Sequence, residues 1–73
     1  MNFKLSEVLK QARIDKNMTQ KQVAVAIGIE LNAYQNYEYD KRKPRGDILA
    51  KLIRVLDLDP EEVEKALESS KNA

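Results

Sequence analysis

The sequence predicts an all-α fold, a compact bundle of five short helices in a single domain. Apolar residues recur at the three- and four-residue spacing of helices, and no segment shows the alternation typical of strands. Helix-starting and helix-ending residues divide the 73 residues into five such segments. We expect residues 1–68 to form the folded domain and residues 69–73 to be a flexible tail with nothing to bury.

The first two helices follow from their apolar spacing and end signals. An apolar face at i, i+3, i+4 and i+7 predicts a helix from about residue 3 to about residue 15: Leu5, Val8, Leu9 and Ala12. The second helix should begin after Thr19, because Thr19 and Gln22 can form a capping box. It should end at Gly28, which adopts a positive φ at little cost.

The remaining three helices are separated by turn residues. Helix three should cover about residues 30–39 and bury an aromatic and aliphatic stripe: Ile29, Ala33, Tyr34 and Tyr37. A basic loop over residues 40–46 should follow, since Pro44 cannot continue a helix. Helix four then has an apolar face up to Leu56, and helix five begins with Asp59 as its cap and Pro60 in the first position.

The composition argues against several kinds of site. The chain has no Cys and no His, so it cannot form a disulfide and lacks the ligands that zinc, copper and haem iron usually select. Its longest apolar run, residues 23–27, is too short to span a membrane. The charged residues are scattered along the sequence and do not form a pattern typical of acid–base catalysis. We therefore expect a cytoplasmic, nucleoid-associated protein with no enzymatic activity, cofactor, metal or small-molecule substrate.

The charges are distributed unevenly along the chain. Residues 1–46 carry nine basic and five acidic side chains, a net charge of +4, whereas residues 47–73 carry four basic and seven acidic ones, a net charge of −3. A polyanion should therefore meet the N-terminal two thirds of the chain. Four basic residues lie close together in the loop after helix three: Lys41, Arg42, Lys43 and Arg45.

The segment from Thr19 to Tyr39 has the organisation of a helix-turn-helix. Two helices flank a glycine turn, and the second carries small amides on its outward face. Asn and Gln can pair with the N6 and N7 atoms of adenine, and Leu can contact a thymine methyl group. The predicted base-contacting residues are Leu31, Asn32, Gln35 and Asn36. On composition alone, these four would be interpreted as ordinary solvated residues. The surrounding sequence is what favours their contact with DNA.

Several short motifs occur together in one known family. They are Leu9-x-x-x-Arg13, Met18-Thr19-Gln20-x-x-Val23-Ala24-x-x-Ile27-Gly28-Ile29, Tyr34, Tyr37-Glu38, Lys43-Pro44, the helix Leu49 to Leu56, and Asp59-Pro60-Glu61-Glu62-Val63. With these motifs the chain resembles, over roughly residues 5–67, the phage repressor and Cro regulators, also called the XRE family. The resemblance implies a lambda-repressor-like bundle and a bacterial or phage transcriptional regulator. It places the four predicted base-contacting residues on the recognition helix.

The resemblance also implies roles for residues outside that face. Gln20 would hold a phosphate at the start of helix two, with Thr19 as the adjacent cap. Arg13 and Glu38 would form a partly buried ion pair with a structural role. Tyr39 and the four basic residues of the loop are also expected to contact phosphates: Lys41, Arg42, Lys43 and Arg45. The alternative to phosphate contact is that these four basic side chains are only solvated.

The sequence departs from the family pattern at several positions. Asp40 stands where Gly is common, at a position expected to need a positive φ. Tyr34 and Tyr37 replace smaller core residues, so their hydroxyl groups should reach the surface or a partner. Val25 lies on a face that is usually polar, and we interpret it as a lone exposed valine rather than a contact with another chain.

One helix-turn-helix reads only a few base pairs, so the resemblance implies a homodimer on a palindromic operator, with repression of transcription as the outcome. So small a core cannot cover all the apolar residues in the region of helices four and five, which are therefore the predicted dimer residues: Val55, Leu58, Val63 and Leu67. We expect no effector domain, so regulation would come through concentration, proteolysis or a separate protein acting as a regulatory antagonist. Two alternatives remain: a protein-interaction module or antitoxin on the same fold, and a non-specific nucleic-acid binder.

Overall fold

The computed structural model describes the backbone of residues 4–71 and the side chains of residues 4–68, and over that range the chain forms five helices and no strand. The helices are α1 (Leu5–Asp15), α2 (Gln20–Ile27), α3 (Leu31–Glu38), α4 (Gly46–Leu56) and α5 (Pro60–Lys71). The predicted all-α, five-helix fold is confirmed. Helix α4 begins at Gly46, which was expected in the loop, and α5 continues through residues 69–71. The rest of the predicted tail, residues 72 and 73, lies outside the described residues.

Helix α2 begins with the predicted capping box. The amide of Gln22 donates to Thr19 Oγ1 at 3.0 Å, and the amide of Thr19 donates to Gln22 Oε1 at 2.8 Å. At the start of α5, the amide of Glu61 donates to Asp59 Oδ1 at 2.9 Å. These bonds satisfy amide groups that have no partner inside a helix, which fixes where the two helices begin.

The first four helices end in the same backbone motif. A residue with a positive φ follows each helix: Asn17 (56°), Gly28 (75°), Asp40 (61°) and Asp57 (54°). The amide of the next residue then donates to a carbonyl group five residues earlier, in the pairs Met18 to Arg13, Ile29 to Ala24, Lys41 to Asn36 and Leu58 to Ile53. The positive φ expected at Gly28 and Asp40 is confirmed. Asn and Asp tolerate this conformation better than other side chains.

The core lies where the apolar faces of the five helices meet. Helix α3 packs on α1 and α2, α4 packs on the same two helices, and α5 packs on α1. The buried apolar residues are Leu5, Leu9, Val23, Ala24, Ile27, Tyr34, Leu52, Leu56, Leu58, Val63 and Ala66. Val25 is 70% exposed, as expected for a lone surface valine. This packing leaves the outward side of α3 uncovered.

The burial of Leu58 and Val63 corrects one expectation about the dimer residues. Leu58 and Val63 are only 7% and 4% exposed and belong to the core of the single chain. They are covered because α5 folds back onto α1, so a second copy could not reach them without opening the domain. Val55 and Leu67 are half-buried, and their role in a dimer stays a prediction.

The two glycines offer a matched test of the helix ends. Gly28 has a φ of 75°, and a Cβ atom there would meet nothing within 4 Å, so Gly28→Ala should cost only the strain of the left-handed conformation, about 1–2 kcal/mol of the free energy of unfolding. Gly46 lies in the first turn of α4 with equal space, so Gly46→Ala should stabilise by about 0.4–1 kcal/mol. Urea denaturation of both variants measures these changes. Equal effects of the two substitutions would contradict this account of the turn.

Candidate nucleic-acid interface

The outward side of α3 presents the four residues predicted to contact bases. Residues 28–30 form a tight turn between α2 and α3, and the two helices pack against each other. Leu31 and Asn32 are exposed in the first turn of α3, and Gln35 and Asn36 are half-buried one turn later. The structure therefore groups one apolar and three amide side chains on a single short helix face.

A chain of hydrogen bonds connects the start of α2 to this face. Gln35 Nε2 donates to Gln20 Oε1 at 3.1 Å, and Gln20 Nε2 donates to Glu38 Oε1 at 3.1 Å and to Tyr39 Oη at 3.4 Å. Gln20 is thus bound to three residues at the middle and end of α3. The sequence predicts phosphate contacts for Gln20 and Tyr39 but does not predict these hydrogen bonds, because amide partners on different helices leave no signal in sequence spacing.

Beneath this network, Arg13 joins α1 to α3. Arg13 Nε donates to Glu38 Oε2 at 2.6 Å, and Nη2 donates to Glu38 Oε1 at 3.2 Å. The remaining nitrogen, Nη1, donates to the backbone carbonyl of Met18 at 2.9 Å, which also ties down the α1–α2 turn. The structure thus brings together the two residues expected to pair. The pair fixes how α3 sits on the domain.

The charges of this pair are stabilised by their surroundings. The hydrogen bond to Glu38 outweighs burial and raises the pKa of Arg13. Burial alone would raise the pKa of Glu38, but hydrogen bonds from Arg13 and Gln20 outweigh it, so the pKa of Glu38 lies below its ordinary value. Both groups are therefore charged at neutral pH, and Gln20 is positioned by a carboxylate.

The Tyr34 hydroxyl group lies buried close to this pair. Its oxygen makes no hydrogen bond with any residue in the described part of the chain, so the expectation that it reaches the surface or a partner is wrong. Burial, together with the neighbouring Glu38 carboxylate, raises the pKa of Tyr34. The ring fills the centre of the core, and its hydroxyl remains protonated.

The basic loop is held directly against the end of α3. The amides of Lys41 and Arg42 both donate to the carbonyl oxygen of Asn36, at 2.9 and 3.2 Å. The four basic side chains of the loop are exposed: Lys41, Arg42, Lys43 and Arg45. Arg45 Nη2 lies 3.4 Å from Asp47 Oδ2, a contact that was not predicted and that stabilises little because both side chains are exposed. Cationic side chains thus adjoin the amide-bearing face.

Other kinds of site find little support in the described residues. Nowhere between residues 4 and 68 do three His, Cys, Asp or Glu side chains meet as a metal site would require. None of the helices within residues 4–71 is both long and apolar enough to cross a membrane.

Comparison with known proteins agrees with this geometry. A family model described as Helix-turn-helix matches residues 9–63. Among curated proteins, Multiprotein-bridging factor 1a of Arabidopsis thaliana is 42% identical over 52 residues, which is 71% of this chain and 37% of the relative. The chain thus spans little more than a third of the length of that relative. No solved structure gives a significant match.

Proposed function

The chain belongs to the XRE family of helix-turn-helix DNA-binding regulators, and on this premise we propose that it is a sequence-specific transcriptional repressor that binds a palindromic duplex operator as a homodimer. One observation supports this proposal most strongly: the outward side of α3 carries Leu31 and three amides, with exposed cations fixed at its end. An α-helix fits the major groove of B-DNA, where base pairs differ in their hydrogen-bond patterns. We propose no catalytic step.

The amides are suited to reading bases. Asn32 is exposed at the start of α3, and its carboxamide can donate to N7 and accept from N6 of one adenine. Gln35 is held by its hydrogen bond to Gln20, so little side-chain freedom is left to lose when it meets a base. Leu31 offers an apolar contact to a thymine methyl group. These three positions would carry most of the base preference.

The phosphate contacts would come from both sides of α3. The basic residues of the loop follow the C-terminal end of α3. On the other side, the hydroxyl group of Thr19 and the backbone amide of Gln20 can donate to a phosphate at the start of α2. Tyr39, whose hydroxyl already accepts from Gln20, can donate to the same backbone. These contacts would set the position of α3 on the duplex without selecting a sequence.

Dimerisation would supply the rest of the specificity. Two copies would read half-sites about one helical turn apart, and the half-buried Val55 and Leu67 are the residues proposed for their contact. Bound to a promoter, such a dimer would repress by blocking access to it. We propose that a separate protein antagonist relieves the repression.

Two substitutions separate base reading from phosphate binding. Asn32→Ala should lower the preference for the best operator over a point-mutated one by about 1–3 kcal/mol, because the bidentate contact is lost. Lys41→Ala should weaken binding to every duplex about equally. Competition binding with a set of operators mutated at each position measures both effects. Uniform weakening by Asn32→Ala, with preference unchanged, would contradict the assignment of α3 and favour a non-specific nucleic-acid binder.

A second candidate is a protein-interaction module, as in an antitoxin or a bridging protein. The observation that favours it is the relative, whose printed name is that of a multiprotein-bridging factor. A partner held by apolar contacts would bind nearly as well at high as at low salt, whereas DNA would not. This difference allows the two candidates to be told apart with the same protein sample.

A further inference from the structure

An open groove runs between α1 and the corner where α4 meets α5, and none of the residues proposed to contact DNA lines it. Its apolar floor includes Val8 and Ala12, which are half-buried and lie one helical turn apart on α1. The edges of Leu56 and Leu58 complete the floor from the other side. The groove therefore offers a narrow apolar strip that the single chain leaves partly uncovered.

Acidic residues line both rims of this groove. On the α1 side, Glu7 and Asp15 are eight residues apart and project in one row. On the opposite side, Asp57, Asp59 and Glu62 follow the corner between α4 and α5. All five carboxylates belong to exposed residues. The cations that line the groove are Lys4 and Lys16, at the two caps of α1, so carboxylates outnumber cations in its lining by five to two. One of the carboxylates, Asp15, accepts a hydrogen bond from Gln11 Nε2 at 3.0 Å.

The dimensions and the charge fit a basic helix. Eight residues of α1 span about 12 Å, which is about two turns of a facing helix. An apolar stripe on that helix would cover Val8 and Ala12, and Lys or Arg on its flanks would meet carboxylates on both rims. Duplex DNA would be repelled by this surface. The chain's own basic stretch, residues 41–45, is a loop interrupted by Pro44 with no apolar stripe, so a second copy does not match.

We propose that this groove binds a basic, amphipathic helical segment of a partner protein. The proposal does not depend on the DNA-binding function proposed above, because the two surfaces share no residue. A chain bound to an operator would still present the groove. The domain would thereby recruit a second protein to the site it occupies, or be captured by one.

A labelled model peptide tests this proposal with the full chain. The probe is a peptide of about 15 residues with Leu at i, i+3, i+4 and i+7 and Lys at most other positions. The peptide should bind to the chain and shift the backbone amide NMR signals of α1 and of residues 56–62. The double variant Glu7→Gln/Glu62→Gln should weaken binding about five-fold, because it removes one carboxylate from each rim.

The matched control is Glu64→Gln/Glu68→Gln, which removes the same charge from exposed positions of α5 outside the groove. It should change the affinity less than about two-fold. Equal weakening by the two double variants would overturn the proposal, since it would indicate general attraction to an acidic protein. Signal shifts outside the groove, or equal binding of a peptide with Glu in place of Lys, would also overturn it. Self-association of the chain that Glu7→Gln/Glu62→Gln abolishes would assign the groove to a second copy instead.

Discussion

Raising the salt concentration from 50 to 200 mM is expected to weaken binding of the chain to its duplex target by about 10³–10⁵-fold. Each phosphate contacted by Lys or Arg releases counterions, and the logarithm of the affinity falls with the logarithm of salt at a slope of about −0.9 per contact. Each chain offers four cations in the loop: Lys41, Arg42, Lys43 and Arg45. Two chains on one operator would give a slope near −7, and a single chain a slope near −4. The slope therefore also tests the proposed dimer.

Anisotropy titrations of a labelled operator over this salt range measure the slope. Lys41→Ala should reduce its magnitude by about 1 for each bound chain. Lys65→Ala removes the same charge from α5 and should leave the slope unchanged, which makes it the matched control. An affinity for the operator that hardly changes between 50 and 200 mM salt would contradict the phosphate contacts.

Replacing Glu38 with Ala is expected to lower the free energy of unfolding by about 3 kcal/mol. The side chain of Glu38 is 1% exposed and receives two hydrogen bonds from Arg13 and one from Gln20. Its removal leaves the Arg13 charge without its carboxylate, although that side chain is 14% exposed and can regain some water. A chain of 73 residues is typically stable by roughly 4–11 kcal/mol, so the loss is a large fraction of the total. Urea denaturation followed by circular dichroism measures it.

The pH dependence of stability gives this prediction a second readout. Because the pKa of Glu38 is lower in the folded than in the unfolded chain, the unfolded chain takes up the proton first as the pH falls. The stabilisation is present above the unfolded pKa and is lost as the pH falls through the folded value. The stability advantage of the natural chain over Glu38→Gln should therefore shrink between neutral pH and about pH 3. A constant advantage of the natural chain over Glu38→Gln across this pH range would contradict the account.

The helices could be predicted because they depend on local patterns. The capping box at Thr19 and the glycine at Gly28 mark the ends of α2 in the sequence itself. The ends of α1 and α4 carry weaker signals, since Asn17 and Asp57 adopt a left-handed conformation that Asn and Asp tolerate but do not require. Their conformation follows from the packing of the helices on either side.

The candidate site was predictable only in part, because contacts between helices leave little trace in spacing. Periodicity alone places Asn32 on the outward side of α3, whereas the pairing of Arg13 with Glu38 was expected from the family resemblance. The bond between Gln20 and Gln35 depends on how α2 and α3 cross and could not be read from either helix. The burial of Leu58 likewise depends on the return of α5 over α1.

Selection of bound duplexes from a random pool at about 150 mM salt tests the central claim most directly, because weak electrostatic binding is already heavily screened there. Sequencing the recovered duplexes should yield a two-fold symmetric motif whose half-sites lie about one helical turn, or about 34 Å, apart. The same selection with Asn32→Ala should relax the motif at a position in each half-site. Recovery of duplexes without any common motif would contradict sequence-specific recognition by α3.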